Sequence, residues 1–207
     1  MYELAIAPME RVWHLYYYFK KDSPDYLTHQ LMDFKGDKAS QIAAFPEAAA
    51  EAFSKMNIQF DYVLRVLGSD EVSATKGNRV RNIAIAIKNA VGAEYQPTLL
   101  TKKRKTRSLK TLNLAQRQAE LEDVYVLSTA IDLNGKSVLL VDDISTTGTS
   151  LEVISKLIKA TFPECLVYGF MLAKTSNPDF GGTDRNDEES ELHYREILEK
   201  HVTKAGK

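Results

Sequence analysis

The chain has 207 residues, 44% of them hydrophobic and 27% charged, with a formal net charge of −1. This size and balance describe an ordinary globular chain of one domain with appendages, and so small a net charge points to no particular partner. No apolar run approaches the roughly 20 residues of a membrane span and the N-terminus carries no secretory pattern, so a cytoplasmic protein without membrane contact is expected. The lone cysteine, Cys165, lies in an apolar run and reads as a buried thiol in a reducing compartment.

In chain order, residues 1–35 are rich in aromatics: Trp13, Tyr16, Tyr17, Tyr18, Phe19, Tyr26 and Phe34. They either pack a small satellite core or line a pocket for a planar acceptor, since aromatic faces stack on bases. His14 and His29 have no second ligand-like group nearby in sequence and read as packed or exposed side chains. Asp33–Phe53 is Ala-rich and mainly helical, with Pro46 opening or kinking a second segment. Asp61–Leu67 reads as a strand stopped by Gly68, and Asn78–Ala90 as a helix with Val80, Ile83, Ala84 and Ile87 on one face. Thr98–Thr101 is a short strand candidate. In Lys102–Lys110, six of nine residues are basic. That stretch reads as a solvated loop, as a loop closing over an anionic ligand, or as a nucleic-acid contact. A polar helix over Ala115–Leu121, a strand over Tyr125–Ile131 and a turn at Asn134-Gly135 follow.

The most informative stretch is Ser137–Lys159, SVLLVDDISTTGTSLEVISKLIK. Val138–Val141 is apolar at every position, as in a strand buried on both faces in the middle of a parallel sheet. Asp142 and Asp143 fall where that strand should end. Ser145, Thr146, Thr147, Gly148 and Thr149 then form a hydroxyl-rich turn before a helix whose apolar face is Leu151, Ile154, Leu157, Ile158 and Phe162. Such a turn offers N–H groups, hydroxyls and the positive helix end to an anion. Thr149 and Glu152 fit a capping box. Two carboxylates would repel a phosphate but suit a diol, because they only accept hydrogen bonds. Phosphate at one end and diol at the other describe a sugar phosphate in the crevice beyond the strand ends. A solvated loop or an acidic metal pocket is the alternative, and it leaves the hydroxyl-rich turn unexplained. Glu164–Leu172 is a further apolar strand, 177–190 a polar loop, and Glu191–His201 a charged helix. The alternation of strands and helices predicts an α/β fold with a mostly parallel central sheet flanked by helices. Three segments are expected: a small N-terminal hood over 1–57, a core over 58–176, and a linker with a terminal helix over 177–207.

Val138–Ser150, VLLVDDISTTGTS, resembles the phosphoribosyl-pyrophosphate (PRPP) motif of type I phosphoribosyltransferases. The layout is similar to their ComF-like, amidophosphoribosyltransferase-like branch, named for bacterial DNA uptake. The likeness runs from about Thr28 to Lys174 and includes MDFKGDKA, Lys76-Gly77, and KRKTRSLKTLNLAQR with Thr106 and Arg117 in register. It implies that Asp142 and Asp143 bind the ribose hydroxyls and Ser145–Thr149 the 5′-phosphate. It further implies a pyrophosphate loop at Arg65, Gly68 and Ser69, and a flexible basic loop with Lys103, Arg104, Lys105 and Arg107. The implied reaction transfers a phosphoribosyl group from PRPP, with Mg2+, to a nitrogen acceptor of unidentified kind. A non-catalytic nucleotide-binding or DNA-uptake partner is the alternative, and a homo-oligomer or protein partner is compatible with both. Prolines of the branch's pyrophosphate loop, the glutamine of its basic loop and the asparagine after Arg117 are missing here. The cysteines of its zinc module are missing too, so no resident metal is expected.

Overall fold

The computed structural model describes residues 1–19, 26–36, 39–176 and 186–205. The elements are β1 (Tyr2–Leu4), β2 (Arg11–Phe19), α1 (Tyr26–Lys35), α2 (Ala39–Ser54), β3 (Tyr62–Arg65), α3 (Arg79–Val91), β4 (Glu94–Tyr95), β5 (Leu100–Lys102), α4 (Leu114–Leu121), β6 (Tyr125–Leu127), β7 (Ser137–Ser145), α5 (Thr149–Thr161), β8 (Leu166–Ser176) and α6 (Glu188–Ala205). Asp37 and Lys38 of the expected helical stretch, and residues 177–185 of the expected linker, lie outside the described residues.

The main sheet runs β1-β2-β8-β7-β3-β4, and only β1 is antiparallel to its neighbour. β7 lies inside it, between β8 and β3, and its apolar run divides by alternation. Leu139 and Val141 join a core with α1, α2, α3 and α6, while Val138 and Leu140 join a core with α5 and the short strands. Burial on both faces is why every position of the run is apolar.

Three expectations need correction. The N-terminal segment is not a separate hood: β2 pairs along most of its length with β8. Trp13 and Tyr16 belong to the same core as α2 and α3, with Trp13 edge-on to Phe53 at 6.2 Å. They form no satellite core, because an aromatic strand added to a parallel sheet buries its rings against the helices already there. The short strands near Thr98 and Tyr125 are not in the main sheet either. They pair with each other as an antiparallel ribbon, β5 with β6, and the edge beside β3 is taken by β4. Pro46 sits inside α2 and does not open it.

α6 is docked. Tyr194, Ile197 and Leu198 are buried in the core shared with α2, and His193 Nε2 lies 3.2 Å from Glu51 Oε1. Asn186 fastens the start of this segment to β2, accepting from Tyr17 N at 2.7 Å and donating to Tyr17 O at 3.1 Å. Cys165 is fully buried and forms no disulfide. Among the described residues, no helix is long and apolar enough to cross a membrane.

Candidate functional site

Parallel pairing in register sets Arg65 opposite Val141, and Val141 opposite Phe170. The C-terminal ends of β3, β7 and β8 therefore lie along one edge of the sheet, the side on which α/β sheets hold ligands. Asp142 and Asp143 lie three and two residues before the end of β7, which runs past its expected end and stays paired with β8 as far as Ser145. Asp142 accepts from the Asp143 N–H at 2.8 Å, and Asp143 from the Ile144 N–H at 2.7 Å, which fixes both carboxylates. Two cations from distant elements reach Asp143: Lys35 Nζ at 4.0 Å and Arg79 Nε at 3.8 Å. Burial, then the neighbouring Asp143 charge, pushes the Asp142 carboxyl well above the ordinary carboxylate range.

The hydroxyl-rich turn follows. Gly148 is the residue before α5, with φ +74°, and its N–H donates to Ser145 Oγ at 2.7 Å. The Thr149–Glu152 capping box is not formed. Thr149 is already helical, and its hydroxyl pairs with Thr147 Oγ1 at 2.6 Å. Thr146 donates to Thr175 on β8, and Arg117 of α4 reaches Thr147 Oγ1 at 3.3 Å. The N-terminal strap Leu4–Ile6 lies over the turn, enclosing a cavity of about 180 Å³ with Ser145–Gly148, Met171 and Lys174. A Cβ on Gly148 would come within 2.4 Å of Ile6 Cδ1. Gly148→Ala is therefore expected to cost about 1–2 kcal/mol from backbone handedness, with little added because the Ile6 Cδ1 methyl can turn aside. Urea denaturation reads it, and unchanged stability would mean that residue 148 does not hold the left-handed conformation.

At the end of β3 the structure places an ion pair. Arg65 is 2% exposed, and its Nη1 and Nη2 donate to Glu71 Oε2 and Oε1 at 2.7 and 2.6 Å. Glu71 also accepts from Gly68 N at 2.8 Å, Thr75 N at 3.3 Å, the Thr75 hydroxyl and Asn78 Nδ2 at 3.0 Å. Burial pushes its carboxyl up, but the bonds from Arg65, Thr75 and Gly68 outweigh this and hold it at about 2. Asn78 also caps α3, accepting from Val80 N.

The basic stretch is divided between two roles. Lys102 is buried, donates to Gly68 O at 2.7 Å and lies 5.5 Å from the centre of the Tyr125 ring. Arg104 and Arg107 turn to Glu120 of α4, at 2.9 and 2.7 Å, and Lys103 pairs with Asp123. The Thr106 N–H donates to Ser69 O at 2.8 Å, tying the basic loop to the β3 turn. Lys105 is exposed.

With this arrangement in view, one comparison decides the family. The family model described as "Phosphoribosyl transferase domain" matches residues 47–178, more than half of the chain. The chain belongs to the type I phosphoribosyltransferase family. Among solved structures it is similar to a hypothetical protein from Neisseria gonorrhoeae with bound ppGpp, at 14% identity, covering 73% of this chain and 75% of that one, with a TM-score of 0.44. It is similar also to the B. subtilis glutamine PRPP amidotransferase complexed with ADP and GMP, at 19% identity over 63% of this chain, with a TM-score of 0.43. It spans about a quarter, 26%, of that chain's length. A Staphylococcus aureus hypoxanthine phosphoribosyltransferase is similar at 14% identity over 71% of this chain and 66% of that one, with a TM-score of 0.41. No curated protein matches the sequence.

Within this phosphoribosyltransferase fold, sequence reasoning missed Lys35, Arg79, Glu71 and Glu120. Lys35 ends a helix, Arg79 begins one, and both meet Asp143 only through the tertiary fold. Glu71 lies in an irregular turn without periodicity. Glu120 carries the one usable signal, a lone acid in a helix next to a basic stretch, where charge pairing could have been suspected.

Proposed function

We propose that this chain binds PRPP at the C-terminal edge of the sheet and transfers its phosphoribosyl group to a nitrogen acceptor. One observation carries the reading: a fixed pair of carboxylates sits near the end of the inner strand β7, just ahead of a hydroxyl-rich turn at the start of α5. Asp142 and Asp143 would accept from the ribose hydroxyls. Ser145, Thr146, Thr147, Gly148 and Thr149 would hold the 5′-phosphate, with Arg117 and Lys174 beside them. The turn at Arg65, Gly68 and Ser69, which follows the strand beside β7, would take pyrophosphate. In the reaction the anomeric C–O bond breaks with its electron pair leaving on pyrophosphate. The acceptor's lone pair forms the new C–N bond, and its proton passes to water.

Magnesium would supply positive charge to the leaving pyrophosphate. Among the described residues, no three His, Cys, Asp or Glu side chains converge as a metal-binding set. Two carboxylates beside phosphate and ribose oxygens do suit a magnesium ion brought in by the ligand. Lys35 and Arg79, already at Asp143, keep the acidic pair from standing as an uncompensated charge.

A second reading, a nucleotide-holding protein without turnover, is favoured by the engagement of Arg65, Arg104 and Arg107 with internal carboxylates. Titration with magnesium and PRPP, followed by a pyrophosphate-release assay over a panel of amines and nucleobases, separates the two. Saturable binding with acceptor-dependent release is expected. Binding without release under any acceptor would favour the second reading, and no binding would overturn both.

A further inference from the structure

We infer that Glu71 is a specificity-determining residue, an internal anion seated where a ligand's pyrophosphate would sit. The inference rests on the sugar-phosphate reading of Asp142–Thr149. Its observation is separate: a buried guanidinium, two backbone N–H groups, a hydroxyl and an amide converge on one carboxylate. Donors gathered in this way form an anion cradle whatever the anion is. This cradle begins at Arg65, whose strand partner is Val141, the residue before Asp142. It therefore adjoins the place where the sugar ring would lie.

Glu71 occupies the cradle from within the same turn, six residues after Arg65. Its competition with an incoming anion is intramolecular and therefore costly to overcome. The turn is also held from outside. Lys102 donates to Gly68 O, and Thr106 N–H donates to Ser69 O. For pyrophosphate to reach Arg65 and the Gly68 N–H, Glu71 must swing out. The site with Glu71 seated takes the phosphoribosyl 5′-monophosphate portion of a ligand at full strength and the pyrophosphate portion at a penalty. The chemical class that it favours is therefore ribose 5-phosphate and nucleoside 5′-monophosphates over diphosphorylated sugars. PRPP gains access only through opening of the turn.

The test is calorimetric titration of ribose 5-phosphate, PRPP and inorganic pyrophosphate, each with magnesium, into wild type and Glu71→Gln. Glutamine keeps an acceptor for Arg65 but removes the competing charge. PRPP and pyrophosphate should tighten about tenfold or more in E71Q, the scale of one charged hydrogen-bond partner, while ribose 5-phosphate stays within about twofold. The double variant Arg65→Met/Glu71→Gln removes the cradle's own charge and should cancel the gain. Unchanged or weaker PRPP binding in E71Q, with ribose 5-phosphate still bound, overturns the inference and leaves the proposed site standing. Failure of the wild type to bind ribose 5-phosphate overturns the site itself, and the inference with it. If E71Q does not fold, the wild type decides: PRPP no tighter than ribose 5-phosphate supports the competition, and PRPP about a hundredfold tighter rejects it.

Discussion

Asp142→Asn/Asp143→Asn should weaken ribose 5-phosphate and PRPP binding by at least about a hundredfold, because two charge-assisted acceptors of the diol are lost at once. Asp142→Asn alone, which leaves Asp143 with Lys35 and Arg79, should unfold no earlier than wild type near neutral pH. Burial and the adjacent Asp143 raise the folded-state value of Asp142 above that of the unfolded chain. For a carboxyl, that shift favours the folded state while the group is protonated. Its contribution is full below the ordinary aspartate range and is lost as pH rises through the raised value. Asparagine removes this ionisation cost, so thermal unfolding across that window should be flatter in the variant. Ligand affinity in wild type should increase over the same rise in pH, since the ionised carboxylate is the better diol acceptor. Calorimetry and pH-resolved melting read both effects. A double variant that binds within about threefold of wild type would remove the acidic pair from the site.

Glu71→Ala is expected to be the most destabilising single change at the site, by about 3–5 kcal/mol, because it strands a buried guanidinium among groups arranged for an anion. Replacing both partners with apolar residues, Arg65→Met/Glu71→Leu, should recover most of that loss, since neither charge then needs a partner. Acid works on the same pair. The folded-state value of Glu71 lies below that of the unfolded chain, so its contribution is present above the ordinary glutamate range. It is lost as pH falls from that range towards about 2. Chemical denaturation of the two variants at neutral pH, and of wild type down this acid limb, checks the account. Equal losses for the single and double variants would show that the pair matters through shape and not through charge.

These expectations draw on residues that differ in how far they could be read before folding. Asp142, Asp143 and the Ser145–Thr149 turn were legible because their signal is local. An apolar run, an acidic pair and a glycine before an amphipathic helix follow within about one strand and one turn of helix. The Asn78–Ala90 helix was legible for the same reason, and Arg79–Val91 is its observed span. The capping box was misread because Gly148, with φ of +74°, is the residue before the helix, so α5 starts at Thr149, one residue earlier than the Thr149 pattern implied. The aromatic N-terminus was misread because its alternation is masked. β2 buries side chains on both sheet faces, so its residues read as a featureless apolar run.

By itself the sequence determined the α/β class, the inner strand carrying the acidic pair, and the hydroxyl-rich turn before α5. All of these are written in contiguous residues whose spacing matches a strand or helix period. Only the tertiary structure decided that β2 joins the sheet beside β8, that α6 docks on α2, and that Lys35 and Arg79 meet at Asp143. It also decided that Glu71 and Glu120 engage the arginines of the two loops, in place of solvent. The reason is physical. Pairing between charges, and between strands far apart in sequence, depends on which faces the core brings together, and no local period in the chain encodes it.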